Sequence, residues 1–161
     1  TQVVVYDDAQ GMIAGRLWLL LRWLGHDRVA LLDGGLQAWQ AAGKPLTQAL
    51  PALRPATFMA RQDDCVVDTA YVQSFLATSR MHLVDARSAD RFRGENETLD
   101  PVAGHIPGAR NRLYKENLDA SGRFKPAATL RAELTALLDD RRPDQIVHQC
   151  GSGVSACQSG A

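Results

Sequence analysis

The residues best suited to chemistry are Cys150-Gly151-Ser152-Gly153-Val154-Ser155, which follow a short strand-like run at Gln145–Gln149. A cysteine at the carboxyl end of a buried strand lies where open α/β sheets bind ligands. Gly151 and Gly153 permit a tight loop with converging N–H groups, and a helix beginning near Ser155 adds its positive end. Both effects stabilise a thiolate and a persulfide anion. The loop therefore predicts a reactive cysteine; the alternative is a buried structural cysteine beside a flexible turn.

Two blocks of alternating strands and helices precede this loop in the sequence. The predicted strands are Val3–Tyr6, Val29–Leu32, His82–Asp85 and Gln145–Gln149, and the predicted helices are Ile13–Leu24, Leu36–Ala42, Thr69–Leu76, Ser88–Arg93 and Pro126–Leu138. This alternation is typical of an α/β fold with parallel sheets. Lys44–Asp64 holds three prolines and has weak periodicity, so we interpret it as a linker.

Composition excludes several classes of protein. Lysine plus arginine equals aspartate plus glutamate, 18 each, so no charge excess favours nucleic acid or an anionic membrane as a partner. Hydrophobic residues make up 45%, without an apolar run long enough to span a membrane. Three cysteines in 161 residues do not indicate a disulfide scaffold, and we expect a cytoplasmic protein.

The Cys150 loop resembles the active-site loop of the tandem rhodanese family, the thiosulfate and 3-mercaptopyruvate sulfurtransferases. Other segments resemble that family in the same order along the chain. They are Leu32–Trp39, Leu83–Arg87 followed by Arg91–Gly94, and the turn Gly104–Ala109. Each match is moderate, but together they cover most of the chain and are specific.

The resemblance implies two rhodanese-like, doubly wound parallel-sheet domains, both apparently incomplete. We expect residues 1–46 to form the C-terminal part of an inactive domain, 47–66 a linker and 67–161 the catalytic domain. We expect further chain beyond both ends, and no activity from residues 1–161 alone. We also expect the polar groups that the first domain lends to the cleft to lie outside these residues.

An internal duplication is a further expectation. Val3–Asp7 aligns with Ile146–Cys150, and Gly11–Ala14 aligns with Gly153–Ala156, which puts Asp7 in the position of the cysteine. The alternative is that any two strand–loop–helix units look alike over so short a stretch.

The resemblance also implies a mechanism and roles for residues. A Cys150 thiolate takes sulfur from a small anionic donor and passes it, as a persulfide, to cyanide or a thiol, with no cofactor and no metal. Arg91 holds the donor by the bidentate bonds that suit a guanidinium, and Asp85 supports the loop or an arginine. Residues 151–155 complete the substrate site. His105 is interpreted as structural, and Cys157 as apolar filler that could instead trap an oxidised Cys150.

The loop sequence favours 3-mercaptopyruvate over thiosulfate. Family members that prefer the thiosulfate dianion often carry cations after the cysteine, whereas Gly151 and Ser152 are neutral here. The usual threonine of this loop is replaced by Ser155, which keeps the hydroxyl.

Three other functions remain as alternatives. A cysteine phosphatase needs an arginine six residues after the cysteine, where this chain has Ala156. A non-catalytic sulfur-carrier or interaction module is possible, because a fold does not fix a function. A metal site is poorly supported, since the histidines and cysteines lack ligand spacing.

Overall fold

The computed structural model describes residues 2–52, 55–76, 78, 81–139 and 141–160. The elements in chain order are β1 (Val3–Val5), α1 (Met12–Trp23), β2 (Val29–Leu31), α2 (Gly35–Ala41), α3 (Thr69–Phe75), β3 (His82–Asp85), α4 (Ala89–Arg93), β4 (Arg110–Asn111), α5 (Ala127–Leu138), β5 (Ile146–Gln149) and α6 (Ser155–Ser159). The predicted elements are confirmed to within a residue at each end. The sequence missed β4 and two 3₁₀ turns, Tyr114–Asn117 and Pro143–Gln145, which are too short to show periodicity.

The strands form two parallel sheets. In the first, Val3 of β1 aligns with Val29 of β2. In the second, β3 lies between β4 and β5, so that Asp85 aligns with both Asn111 and Gln149. Parallel strands need helical cover on both faces, and Leu83, Val84 and Asp85 of β3 are all buried. The α/β class is therefore confirmed, and the carboxyl ends of three strands meet directly before Cys150.

Each sheet has its own apolar core. The first consists of Val5, Ala14 and Val29, with Val3, Trp18, Leu21 and Leu31 packed against them. The buried apolar residues of the second half are Leu83, Val84, Ala86, Leu118, Leu138, Ala156 and Cys157. Because β-branched and leucine side chains from strands and helices fill both cores, burial of apolar surface is the main stabilising contribution.

The two halves meet where α1 crosses α6. A Cβ at Gly15 would lie 2.9 Å from the Gln158 Cα, so this position accepts only a glycine without movement of the backbone. A second link joins the halves, because the Phe124 N–H donates to the Asp33 carboxylate at 2.8 Å. The chain between the halves runs over the end of α1, where the Arg61 N–H donates to the Leu24 carbonyl.

None of the helices in the described ranges is long and apolar enough to cross a membrane.

Candidate active site

Cys150 is half-buried directly after β5 and lines a cavity of about 550 Å³. The end of β5 is hydrogen-bonded to the residue that follows β3, since the Ala86 N–H donates to the Gln149 carbonyl at 2.9 Å. The cavity brings together most of the residues that the sequence predicted for the site. These are Arg91, Cys150, Gly151, Ser152, Val154 and Ser155. Gly153 and Asp85 are not in its lining.

The sulfur of Cys150 accepts a backbone hydrogen bond from its own loop. The Gly153 N–H donates to Sγ at 3.1 Å. Burial on its own raises the pKa of the thiol, but hydrogen bonds outweigh burial and bring the pKa below its usual value. Their donors are the Ser155 hydroxyl and the backbone N–H groups of Ser152, Gly153 and Ala156. The site therefore favours a thiolate, the nucleophilic form of cysteine.

The loop needs a glycine at position 153. Gly153 has φ +70°, a conformation that other residues rarely adopt. A Cβ there would also lie 3.4 Å from Arg16 Nη1. The carbonyl of the same residue accepts the Cys157 thiol at 2.7 Å. Cys157 is thus buried as predicted, and its thiol also anchors the loop.

Arg91 reaches the cavity wall beside the loop, and two carboxylates hold its guanidinium. Glu97 binds it through both oxygens, the closest contact being 2.8 Å, and Asp100 approaches at 3.1 Å. A Cβ at Gly151 would lie 3.6 Å from Arg91 Nη2 and 3.7 Å from Asp100 Oδ2. A cation and a carboxylate therefore both face the entrance to Cys150, and no pattern in the sequence predicted the carboxylate.

Asp85 is fully buried and contacts Arg87, not Cys150. Its carboxylate accepts from Arg87 Nε at 3.0 Å and Nη2 at 2.7 Å. The same guanidinium donates to the Gly104 carbonyl at 2.7 Å, which ties the end of β3 to the Gly104–Ala109 turn. These bonds to Asp85 raise the pKa of Arg87. Asp85 is placed to support an arginine of the cavity wall.

His105 and Cys65 lie outside the chemistry described above. The His105 ring stacks on Phe92 with 3.7 Å between centroids, and Nδ1 is 2.7 Å from the Phe92 carbonyl. These contacts fit a residue that holds the turn against α4. Cys65 is exposed in the chain between the halves.

The first half contributes directly to the site. Met12 and Ile13 line the cavity, and Arg16 Nη1 donates to the Ser152 and Gly153 carbonyls at 3.1 and 3.2 Å. Arg16 is therefore a polar group of the first half that holds the active-site loop, although the first-half residues that line the cavity itself are Met12 and Ile13. No local pattern distinguishes this arginine from a solvated charge on α1, because its partners are 136 and 137 residues away.

Asp7 begins a second loop of the same kind, which also leads from a strand into a helix. Its carboxylate accepts backbone N–H groups at 2.8 to 3.0 Å, donated by Ala9, Gly11, Ile13 and Ala14. Burial raises the pKa of Asp7, but these hydrogen bonds prevail and lower it. The negatively charged Asp7 carboxylate thus binds the N–H groups of the loop and helix start that follow it.

Comparison with known proteins agrees with this geometry. The rhodanese-like domain family matches residues 1–42 and 68–161. The chain belongs to the rhodanese-like domain family.

The relatives bear names of sulfurtransferases. The chain is 49% identical to a probable 3-mercaptopyruvate sulfurtransferase of Pseudomonas aeruginosa, over 99% of this chain and 57% of that protein. It is 37% identical to the 3-mercaptopyruvate sulfurtransferase of Homo sapiens, over 98% of this chain and 54% of that protein. The chain therefore spans a little over half the length of the curated relatives it matches.

A solved structure shares the fold. It is the crystal structure of SseA from Escherichia coli, described with the rhodanese fold of 3-mercaptopyruvate sulfotransferases. It is 32% identical with a TM-score of 0.83, and the match covers 98% of this chain and 59% of that one.

Proposed function

We propose that the protein is a sulfurtransferase that carries sulfur as a persulfide on Cys150. One observation carries the proposal: the Cys150 sulfur lines a cavity and accepts the Gly153 N–H at 3.1 Å, and hydrogen bonding lowers the pKa of this thiol. Preorganised donors of this kind stabilise a charge that develops on sulfur during transfer. The names of the relatives agree with this chemistry.

The reaction has two half-steps. The Cys150 thiolate attacks the outer sulfur of the donor, and an S–S bond forms. With 3-mercaptopyruvate the C–S bond breaks, and its electron pair leaves on the pyruvate enolate, which then takes a proton. With thiosulfate the S–S bond breaks and sulfite leaves. A thiophilic acceptor, cyanide or a thiol, then attacks the outer sulfur of the persulfide and releases the Cys150 thiolate.

Arg91 is the proposed anchor for the anionic end of the donor. Its guanidinium lines the cavity beside Gly151, and its Nη1 group, which donates to neither Glu97 nor Asp100, is suited to a carboxylate or sulfonate. Glu97 at 2.8 Å and Asp100 at 3.1 Å offset part of that positive charge. We therefore propose 3-mercaptopyruvate as the preferred donor, because a dianion such as thiosulfate gains less beside a carboxylate.

The organisation of the chain is also part of the proposal. We infer that residues 1–46 belong to a domain without a nucleophile, that 47–66 link the domains, and that 67–161 belong to the catalytic domain. The loops after β1 and β5 support an internal repeat, since a strand, an acceptor side chain and a helix follow in the same order. A cytoplasmic location with small-molecule donor and acceptor as partners completes the proposal.

The test is turnover by the full-length protein and its Cys150→Ser variant, with both donors and with cyanide as the acceptor. We expect activity in the parent and none in Cys150→Ser, with an unchanged thermal midpoint. Cys65→Ser, at an exposed cysteine outside the cavity, is the matched control and should retain the activity. Sulfur transfer that persists in a folded Cys150→Ser variant would rule out the proposal.

A further inference from the structure

Arg16 is joined to the Cys150 sulfur through one peptide unit. Arg16 Nη1 donates to the Ser152 carbonyl at 3.1 Å. That carbonyl and the Gly153 N–H belong to the same peptide group, and the N–H donates to Cys150 Sγ at 3.1 Å. The guanidinium, the peptide and the sulfur therefore form a continuous chain of hydrogen bonds from one half of the protein to the other.

This connection affects both the orientation and the strength of the bond to sulfur. Gly153 has φ +70° and, as a glycine, can adopt either sign of φ. A flip of the Ser152–Gly153 peptide would turn its carbonyl oxygen toward the sulfur, where it would repel a thiolate. Arg16 binds that oxygen on the far side and opposes the flip. A cationic donor on the carbonyl also polarises the peptide, which strengthens its N–H bond to sulfur.

A second hydrogen bond from Arg16 holds the loop at another carbonyl. The same Nη1 donates to the Gly153 carbonyl at 3.2 Å, which also accepts the Cys157 thiol. Two successive carbonyls of the loop are thus held at one nitrogen.

The second half makes the reciprocal contact to the first half where α1 crosses α6. When Gly11 is aligned with Gly153, Arg16 aligns with Gln158. Gln158 is buried, and its Cγ lies 3.7 Å from where a Cβ at Gly11 would be, at the loop that Asp7 fills. Each half therefore extends a side chain of the same helix position toward the loop of the other half.

We propose that Arg16 is a positioning residue for the reactive cysteine, which sets the ionisation of Cys150 across the interface between the two halves through the Ser152–Gly153 peptide. The proposal concerns the same loop as the proposed sulfur transfer and deepens it. Its test needs no sulfur donor, so the two can fail separately.

The experiment is alkylation of Cys150 by iodoacetamide as a function of pH, followed by peptide mass spectrometry with fragmentation to separate Cys150 from Cys65 and Cys157. The variant is Arg16→Met, which keeps the apolar stem and removes the donors. We expect the pH midpoint of alkylation to move upward and the rate at pH 7 to fall about tenfold, as for a lost bond to a charged group. Arg16→Lys should restore part of the change.

The matched control is Arg22→Met, an exposed arginine farther along α1 that lies 3.7 Å from Asp27. It should leave the midpoint unchanged. An unchanged midpoint in Arg16→Met, even with a lower thermal midpoint, would reduce Arg16 to a structural contact and overturn the proposal. If Arg16→Met does not fold, Arg16→Gln, whose amide is too short to reach the loop, decides by the same criterion.

Discussion

Asp7 and Cys150 occupy corresponding places in two strand–loop–helix units that pack against each other through α1 and α6. Cys150 directly follows β5 and Asp7 lies two residues after the end of β1, and each accepts backbone N–H donation from the loop or helix start that follows it. The first unit thus holds a permanent carboxylate where the second holds a thiol that can ionise. The same backbone geometry therefore serves stability in one half and reactivity in the other.

Asp7 should contribute to stability at neutral pH. We expect Asp7→Asn to lower the free energy of unfolding by about 1–2 kcal/mol. This value lies in the lower part of the range for hydrogen bonds to charged groups, because Asp7 is partly open to solvent. Its folded pKa is lowered, so the contribution is complete above the unfolded value of about 4 and is lost as the pH falls through the folded pKa. The measurement is thermal unfolding of both proteins from neutral to acid pH.

The exposed neighbour Asp8 supplies the control for that series. Asp8→Asn should leave the thermal midpoint close to that of the parent. If the difference in thermal midpoint between the parent and Asp7→Asn stays constant as the pH falls, the carboxylate charge is not responsible for the loss of stability.

The Ser155 hydroxyl should determine part of the reactivity of Cys150. Ser155→Ala removes a hydroxyl that helps to lower the pKa of the Cys150 thiol, so the pH at which activity rises should move upward. We expect kcat/KM at pH 7 to fall about tenfold. Ser155→Thr keeps the hydroxyl and should behave like the parent; equal losses in both variants would indicate a packing effect instead.

Asp100 should influence the choice of donor. Replacement by Asn removes the negative charge 3.1 Å from Arg91, so the dianion thiosulfate should gain more than 3-mercaptopyruvate. We expect the ratio of kcat/KM for thiosulfate to that for 3-mercaptopyruvate to rise about three- to tenfold.

Glu95→Gln is the control for Asp100→Asn, because Glu95 pairs with Arg93 and both side chains are exposed. It should leave the ratio of the two donors unchanged. A ratio that stays constant in Asp100→Asn, or that moves toward 3-mercaptopyruvate, would remove Asp100 from the selection of the donor.

The sequence predicted well what depends on local pattern. Apolar periodicity located α1 and β5, and glycine spacing located the Cys150 loop, because each feature is encoded in adjacent residues. β4 could not be predicted, since it is two residues long and forms only by pairing with β3. The contacts of Arg16 and Asp100 also escaped prediction, because they depend on how distant segments or an irregular loop fold together and leave no periodic signal.

The most direct measurement of the central claim is the mass, resolved to single residues by fragmentation, of the peptide that contains Cys150 after incubation of the full-length protein with 3-mercaptopyruvate. We predict the gain of one sulfur atom on Cys150, its loss on addition of cyanide with formation of thiocyanate, and no gain in Cys150→Ser. Sulfur bound to Cys65 or Cys157 while Cys150 stays unmodified would contradict the account, as would a Cys150 adduct that cyanide does not remove.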